Sequence, residues 1–165
     1  MKKLMISAGA LAATALSTPA FAAATNTATA NATVNIVSPL TLTNNSGLDF
    51  GTVVGPFSGQ TVRVSTAGVR NCGGLTCSGT TVSAANFTVS GGTANQALAL
   101  TVAPSVSLTS GANSLTVDLT TDLPTGLVTN ATGGATFGVG GSLAIPAGTS
   151  DGVYSGTFNV RVDYQ

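Results

Sequence analysis

The alternation of apolar and polar side chains is strongest in the final stretch, residues 152–165. Apolar or small residues occupy the even positions from Tyr154 to Tyr164, and polar or charged residues occupy the odd positions between them. A period of two is typical of a β-strand with one buried face and one solvated face. The pattern predicts a final strand over residues 152–165. We expect its edge to be covered, because open strand edges invite pairing with other chains.

A second alternating segment, residues 28–36, lies near the start of the chain. Its even positions are small or apolar, and Thr or Asn stands at the odd positions between them. Val34 and Ile36 would each contribute roughly 1.5–3 kcal/mol if buried, whereas each alanine would contribute far less. We therefore expect this segment to be frayed by itself and to need a partner sheet. The apolar positions are Ala28, Ala30, Ala32, Val34 and Ile36.

The intervening sequence predicts eight to ten short strands separated by Gly, Pro and Asn clusters, at a spacing of ~8–12 residues. No helical pattern follows residue 22. The prediction is an all-β domain, a β-sandwich of Greek-key type, with a repetitive solenoid as the alternative. The apolar positions place strands at 40–42, 48–53, 62–64, around 82, 87–89, 98–102, 106–108, 115–119, 137–139 and 143–145, with a turn at 44–47.

The first 22 residues have the pattern of a signal peptide. Lys2 and Lys3 precede a short apolar run, and Ala20-Phe21-Ala22 is a cleavage sequence with small residues. The apolar run is too short to span a membrane, so the pattern predicts export, with the mature chain beginning at Ala23 or Ala24. The predicted organisation is a signal peptide over 1–22, an extension or donor strand over 23–37, and a β-sandwich domain over 38–165.

The mature composition disfavours catalysis and binding to polyanions. After residue 22 the chain lacks His, Lys, Glu and Trp, and three Arg against five Asp leave a formal charge of −2. This charge does not indicate a nucleic-acid partner. Ser and Thr nucleophiles lack the usual base, so we expect no enzyme and no cofactor. A hydrolase using Asp side chains is a weaker alternative, and Asp118 and Asp122 lack the loop pattern of a calcium site.

The two cysteines, Cys72 and Cys77, are five positions apart. In an exported protein this spacing predicts a local disulfide, which would stabilise the fold by roughly 2 kcal/mol. A pair of free thiols is the next alternative. A metal site is the last, because such sites need more ligands and no histidine is available.

Three features together resemble subunits of bacterial chaperone–usher pili and the related spore-coat-U-type secreted proteins. They are the final strand with Tyr164 next to last and Gly152 fourteenth from the end, the alternating segment after the signal peptide, and Leu48-Asp49-Phe50-Gly51, which is similar to an "L-x-F-G" motif. Over residues 28–165 the chain also resembles a family of short secreted bacterial β-proteins of unknown function.

The resemblance implies an incomplete immunoglobulin-like sandwich that a strand from another chain completes. A periplasmic chaperone would lend this strand first, and another subunit would replace it during assembly at an outer-membrane usher. The donor residues would be the apolar positions of 28–36. The acceptor edge would be formed by Phe158, Val160, Val162 and Tyr164, with the Gln165 carboxylate meeting basic chaperone residues.

Two functions follow as expectations. The first is a structural subunit of a surface fibre, which passes through the periplasm and acts at the cell surface or outside the cell, with a role in adhesion. The second is a monomeric secreted or cell-surface binding domain that completes its own sandwich, with residues 28–36 as its first strand.

Overall fold

The computed structural model describes residues 26–123 and 126–165. Residues 35–165 form one compact unit, and residues 26–34 belong to a second. The predicted signal peptide, residues 1–22, lies outside the described residues. The strands are β1 Thr41–Ser46, β2 Thr52–Val54, β3 Gln60–Val64, β4 Arg70–Asn71, β5 Thr76–Ser78, β6 Ala85–Ser90, β7 Ala97–Val102, β8 Ser105–Ser110, β9 Asn113–Thr121, β10 Leu127–Val128, β11 Ala135–Ile145 and β12 Val160–Tyr164.

The central strand of the largest sheet is β11. Its residue Val139 pairs with Ala85 of β6 on one edge and with β9 on the other. Further along, Leu143 pairs with Val62 of β3 and again with β9. Strands β6 and β3 therefore follow one another along the same edge of β11. Beyond them the sheet continues to β1 and β4, and on the β9 side it ends at β8.

Glycines in β11 allow another part of the chain to contact its backbone directly. A Cβ atom on Gly138 would lie 2.5 Å from the Thr66 carbonyl oxygen, and one on Gly140 would overlap the carbonyl oxygen of Val64. Glycine inside a strand often marks such a close approach, because it has no side chain to occupy the space. The end of β3 and the turn after it can therefore pack against β11.

Two smaller sheets accompany the large one: β10, β7 and β12 form one, and β2 and β5 form the other. The buried residues make two apolar cores. One contains Phe87 and Phe137, whose stacked rings lie 5.2 Å apart between centroids. The other contains Val62 and Val117. Phe158 packs against both cores, so the two are continuous.

The all-β prediction is confirmed. Every pair of strands is antiparallel, the described residues contain no helix, and the curled sheets are consistent with the predicted β-sandwich. The predicted strand count was too low, because the short strands β4, β5 and β10 carry little pattern of their own.

The turn predicted at 44–47 was wrong for most of its residues, since β1 extends to Ser46. The register of β1 against β6 shifts between Asn44 and Ser46. Neighbouring groups satisfy the polar side chains there: Asn45 donates to the Thr88 hydroxyl at 2.7 Å, and the Ser46 hydroxyl donates to the Ala84 carbonyl at 2.9 Å. Residues typical of turns are accommodated because the adjacent strand binds them.

Two further strand predictions were also wrong in their bounds. The strands predicted at 137–139 and 143–145 form a single strand, β11, and the glycines between them do not form a turn. Gly140 marks a close approach of the backbone at Val64, and Gly141 makes room for the side chains of Val117 and Leu48. The strand predicted over 48–53 is reduced to β2 at 52–54. No strand contains Val82, and the only pairing nearby is an isolated bridge between Asp49 and Ser83.

We predict that Gly140→Ala lowers the free energy of unfolding by about 1–3 kcal/mol, because the added methyl group overpacks against the Val64 carbonyl. Gly47→Ala is the matched control, since a Cβ at Gly47 meets nothing within 4 Å. The control should change stability by no more than about 0.5 kcal/mol. Urea denaturation measures both, and equal midpoints for the two variants would contradict the close approach.

Candidate functional site

The C-terminal segment crosses from one sheet to another. The strand predicted over 152–165 is shorter than expected, since β12 begins only at Val160. Before it, Ser155 exchanges two backbone hydrogen bonds with Thr109 of β8, at 2.8 and 3.1 Å. The next pair is Val160 with Val102. Between the two pairs the C-terminal segment advances five residues, from 155 to 160, while its partner covers seven, from 109 in β8 back to 102 in β7. The extra residues belong to the turn at Pro104, which has no N–H to donate to a ladder.

The side chains of this segment alternate as the pattern predicts. Residues Phe158, Val160, Val162 and Tyr164 are half-buried and pack against the core that contains Phe87 and Phe137. Tyr154 is half-buried against the other core. The exposed positions between them are Ser155, Thr157, Asn159 and Arg161, while Gln165 is exposed at the end and Asp163 is half-buried.

The backbone of β12 is paired along one edge. The Gln165 N–H donates to the Ala97 carbonyl at 3.1 Å, and the Asn159 carbonyl accepts from the Ala103 N–H at 3.4 Å. Backbone groups of alternate residues point to opposite edges of an antiparallel strand. Odd-numbered residues therefore face β7, and the even-numbered residues of β12 direct their N–H and C=O groups to the other edge, here called the outer edge. In the described part of the chain, no strand pairs with it.

Apolar side chains from the start of the domain pack against the same core as β12. Leu40, Leu42 and Leu48 are half-buried and pack against the same core as Val160 and Val162. Strand β1, which lies between Leu40 and Leu48 in sequence, pairs only with β6 among the described strands. The edge strands β1 and β12, which belong to different sheets, therefore both contribute apolar side chains to this core.

Two cavities lie at opposite ends of residues 154–164. The larger one, here called the cleft, has a volume of about 940 Å³ and is lined by Tyr154 and Phe158 together with Leu48 and Phe50. The smaller one, here called the end pocket, has a volume of about 380 Å³ and lies between residues 37–40 and residues 162–164. Space for apolar side chains is therefore unequal at the two ends.

A hydrogen-bond network at Tyr164 fixes where the chain enters the domain. The Tyr164 hydroxyl accepts from the Thr93 N–H at 2.8 Å and donates to the Ser38 carbonyl at 2.7 Å. The Ser38 N–H in turn donates to the Thr93 hydroxyl at 2.8 Å. Ser38 is therefore held beside the end of β12.

The predicted donor residues lie before this point. The structure assigns no strand before Thr41 in the described part of the chain. Within residues 26–34, Val34 is 81% exposed. Ile36, the second residue of the unit formed by residues 35–165, is 84% exposed. Residues 28–36 therefore have the alternating sequence of a strand but are not assigned to one. The predicted positions Ala28, Ala30 and Ala32 are likewise exposed.

The predicted disulfide is confirmed. Cys72 and Cys77 are joined with an S–S distance of 2.06 Å, between β4 and β5. Next to it, the Arg70 guanidinium donates to three backbone carbonyls, those of Phe50, Ser78 and Gly79, at 3.0, 3.3 and 3.2 Å. Arg70 therefore links Ser78 of β5 to Phe50, which lines the cleft. The sequence gives no sign of this role, because a single arginine carries no pattern.

Across 26–123 and 126–165, no group of three or more metal-ligating His, Cys, Asp or Glu residues comes together. None of the described residues belongs to a helix long and apolar enough to cross a membrane.

The fold and site define an all-β domain in which none of the described strands pairs with the outer edge of the last strand. A family model described as "Domain of unknown function (DUF4402)" matches residues 40–164, and the chain belongs to this family. Searches of the curated proteins and of the solved structures each found no match. The matched region begins at Leu40, so the alternating segment 28–36 lies outside it.

We predict that Tyr164→Phe lowers the free energy of unfolding by about 1–3 kcal/mol, because the Thr93 N–H loses its acceptor. The amides of Ser38 and Thr93 should also exchange faster with solvent. The matched control is Tyr154→Phe, which removes one exposed hydrogen bond, to the Ser150 carbonyl at 3.0 Å. Hydrogen exchange and urea denaturation measure the effects. Unchanged exchange at both amides would contradict the assigned role of Tyr164.

Proposed function

We propose that the protein is a structural subunit of a bacterial surface fibre, assembled by donor-strand complementation and without enzymatic activity. The observation that carries this proposal is the outer edge of β12. Its backbone groups at Val160, Val162 and Tyr164 have no strand partner among the described residues, and the side chains of the same residues are only half-buried. An added strand would pair with these groups and cover these side chains.

The energetics favour such an addition. Each backbone hydrogen bond contributes a net of about 0.5–1.5 kcal/mol. The half-buried side chains add about 25 cal/mol for each Å² of apolar surface that the new strand covers. Strand addition combines both terms, since main-chain bonds give affinity and alternate side chains give specificity.

The donor segment is proposed to be residues 28–36 of another copy. As a strand, nine residues would be about 30 Å long, comparable to the length of residues 154–164. The exposed Val34 and Ile36 give this segment an apolar face that needs burial. The position of the segment outside the family match supports a role distinct from that of the domain.

The resemblance to chaperone–usher pilins and spore-coat-U-type proteins supports the same assignment. On this proposal a periplasmic chaperone covers the outer edge first and contacts Gln165, and an outer-membrane usher then assembles the subunits at the cell surface. The disulfide is in keeping with export, because disulfides persist in oxidising compartments.

We predict that the mature chain without residues 23–36 folds, alone or held by a chaperone, but does not polymerise. The matched comparison is the chain that begins at Ala23. Size-exclusion chromatography with light scattering should give a ladder of oligomers for the longer chain and a single species for the shorter one. Fibres formed by the truncated chain would rule out this donor segment, and a monomeric longer chain would favour the self-completed binding domain.

A second prediction concerns the outer edge itself. Val162→Pro removes an N–H that points away from β7, and proline is tolerated on edge strands at such positions. The variant should fold and fail to assemble. Val162→Ala keeps the N–H, so it controls for the lost side-chain packing and should still assemble. Assembly of Val162→Pro to the same extent as Val162→Ala would show that the outer edge accepts no strand.

A further inference from the structure

The wall of the cleft that contains Phe50 and Val53 is held by few strand contacts. Val53 lies in β2, and among the described strands β2 pairs only with β5. Each of these two strands is three residues long. An isolated pair of strands is at best marginally stable in water, so this small sheet depends on its contacts with the rest of the domain.

The disulfide is a covalent contact of this kind. Cys77 lies in β5 directly opposite Val53. Its partner Cys72 directly follows β4, which pairs with β3 of the large sheet. The bond therefore joins the small sheet to the large one at the position that faces Val53 in the wall of the cleft.

Arg70 provides a second, non-covalent contact from the same strand, β4. Its guanidinium donates to the carbonyls of Phe50, Ser78 and Gly79. Gly51 leaves room for this guanidinium, because a Cβ at Gly51 would overlap one of its nitrogens. These hydrogen bonds would still hold β5 near β4 after the disulfide is opened, so the two cysteines can pair again.

The disulfide is accessible to a reductant, since Cys72 and Cys77 are both half-buried. Reduction begins when one thiolate of a dithiol attacks a sulfur of the bond and forms a mixed disulfide. The second thiol of the same reductant then displaces the protein. The dithiol becomes a disulfide and the two cysteines become thiols, so two electrons and two protons pass to the protein.

From these contacts we infer that the Cys72–Cys77 bond is a redox-sensitive switch of the cleft. In the oxidised protein the bond keeps β2 and β5 in place, and they form the wall of the cleft. After reduction by a dithiol, β5 is no longer fixed to the end of β4, and β2 moves with it. Solvent then reaches Val106 and Val117, which line the same cleft. A single chain carries the whole switch, so it does not depend on fibre assembly.

The effect of reduction should be local to β2 and β5. Opening a ring as short as residues 72–77 should let the small sheet separate roughly 10 to 100 times more often. Strands β6 and β11 pair with each other in the large sheet, and neither contains a cysteine of the bond. Their amides therefore serve as an internal reference.

Hydrogen exchange of the mature chain, followed by mass spectrometry with and without dithiothreitol, tests the switch. Reduction should accelerate exchange in β2 and β5 by roughly 10- to 100-fold and leave the rates in β6 and β11 unchanged. Removal of dithiothreitol and reoxidation should restore the slow rates. Binding of the dye ANS should also increase on reduction, because apolar side chains of the cleft become accessible.

The matched variant combines Cys72→Ser with Cys77→Ser. It should show fast exchange in β2 and β5 without reductant, and dithiothreitol should cause no further change. Equal acceleration in β6 and β11 would show that the bond stabilises the whole domain and does not act on the cleft. Unchanged exchange in β2 and β5, or a bond that dithiothreitol leaves intact in the folded protein, would likewise overturn the switch.

Discussion

The pairing of β11 with three neighbouring strands is the constraint on which the rest of the fold depends. Val139 and Leu143 are buried at the junctions where β6, β3 and β9 meet this strand. Because Gly138 and Gly140 allow the end of β3 to approach the β11 backbone, the large sheet curls around a core centred on this strand. The smaller sheet that contains β12 packs against the core of Phe87 and Phe137, and in this sheet β12 has β7 as its single strand neighbour among the described residues.

An edge strand with apolar side chains is a liability that many proteins block with proline or with inward-pointing charges. Strand β12 has no proline. Its charged residues, Arg161 and Asp163, form an ion pair at 2.7 Å with side chains 76% and 44% exposed. Such an exposed pair contributes little stability and keeps the polar face solvated. It leaves the outer-edge groups of Val160 and Val162 accessible, so the sequence protects one face of the strand without blocking its edge.

Periodicity along the sequence predicted the class of fold and the faces of its strands, because burial follows alternation locally. It placed Phe158, Val160 and Val162 on the core side of the C-terminal segment. The disulfide was predicted separately, from the spacing of two cysteines in a chain with a signal-peptide pattern. Periodicity failed wherever a distant part of the chain decides the outcome. The local sequence around Gly140 is the same whether the glycine lies in a turn or where another part of the backbone approaches closely. Asn45 lies in a strand because its side chain is bound by Thr88 of the adjacent strand.

The same limit applies to residues 28–36, whose strand-like alternation we expect to need a partner sheet and to which the structure assigns no strand. Its apolar positions are exposed in the structure, and the sequence alone does not say what would cover them. The Tyr164 network adds the missing geometric information, because it holds Ser38 beside the end of β12.

The connection between residues 28–36 and the domain is short. Only Val37 separates Ile36 from Ser38, and Pro39, which follows Ser38, has a restricted backbone. A donor strand would therefore be joined to its domain by a very short tether. Flexible Gly- and Ser-rich linkers let neighbouring modules move independently. A tether this short would instead hold consecutive subunits close together, which favours a stiff fibre over a flexible chain of domains.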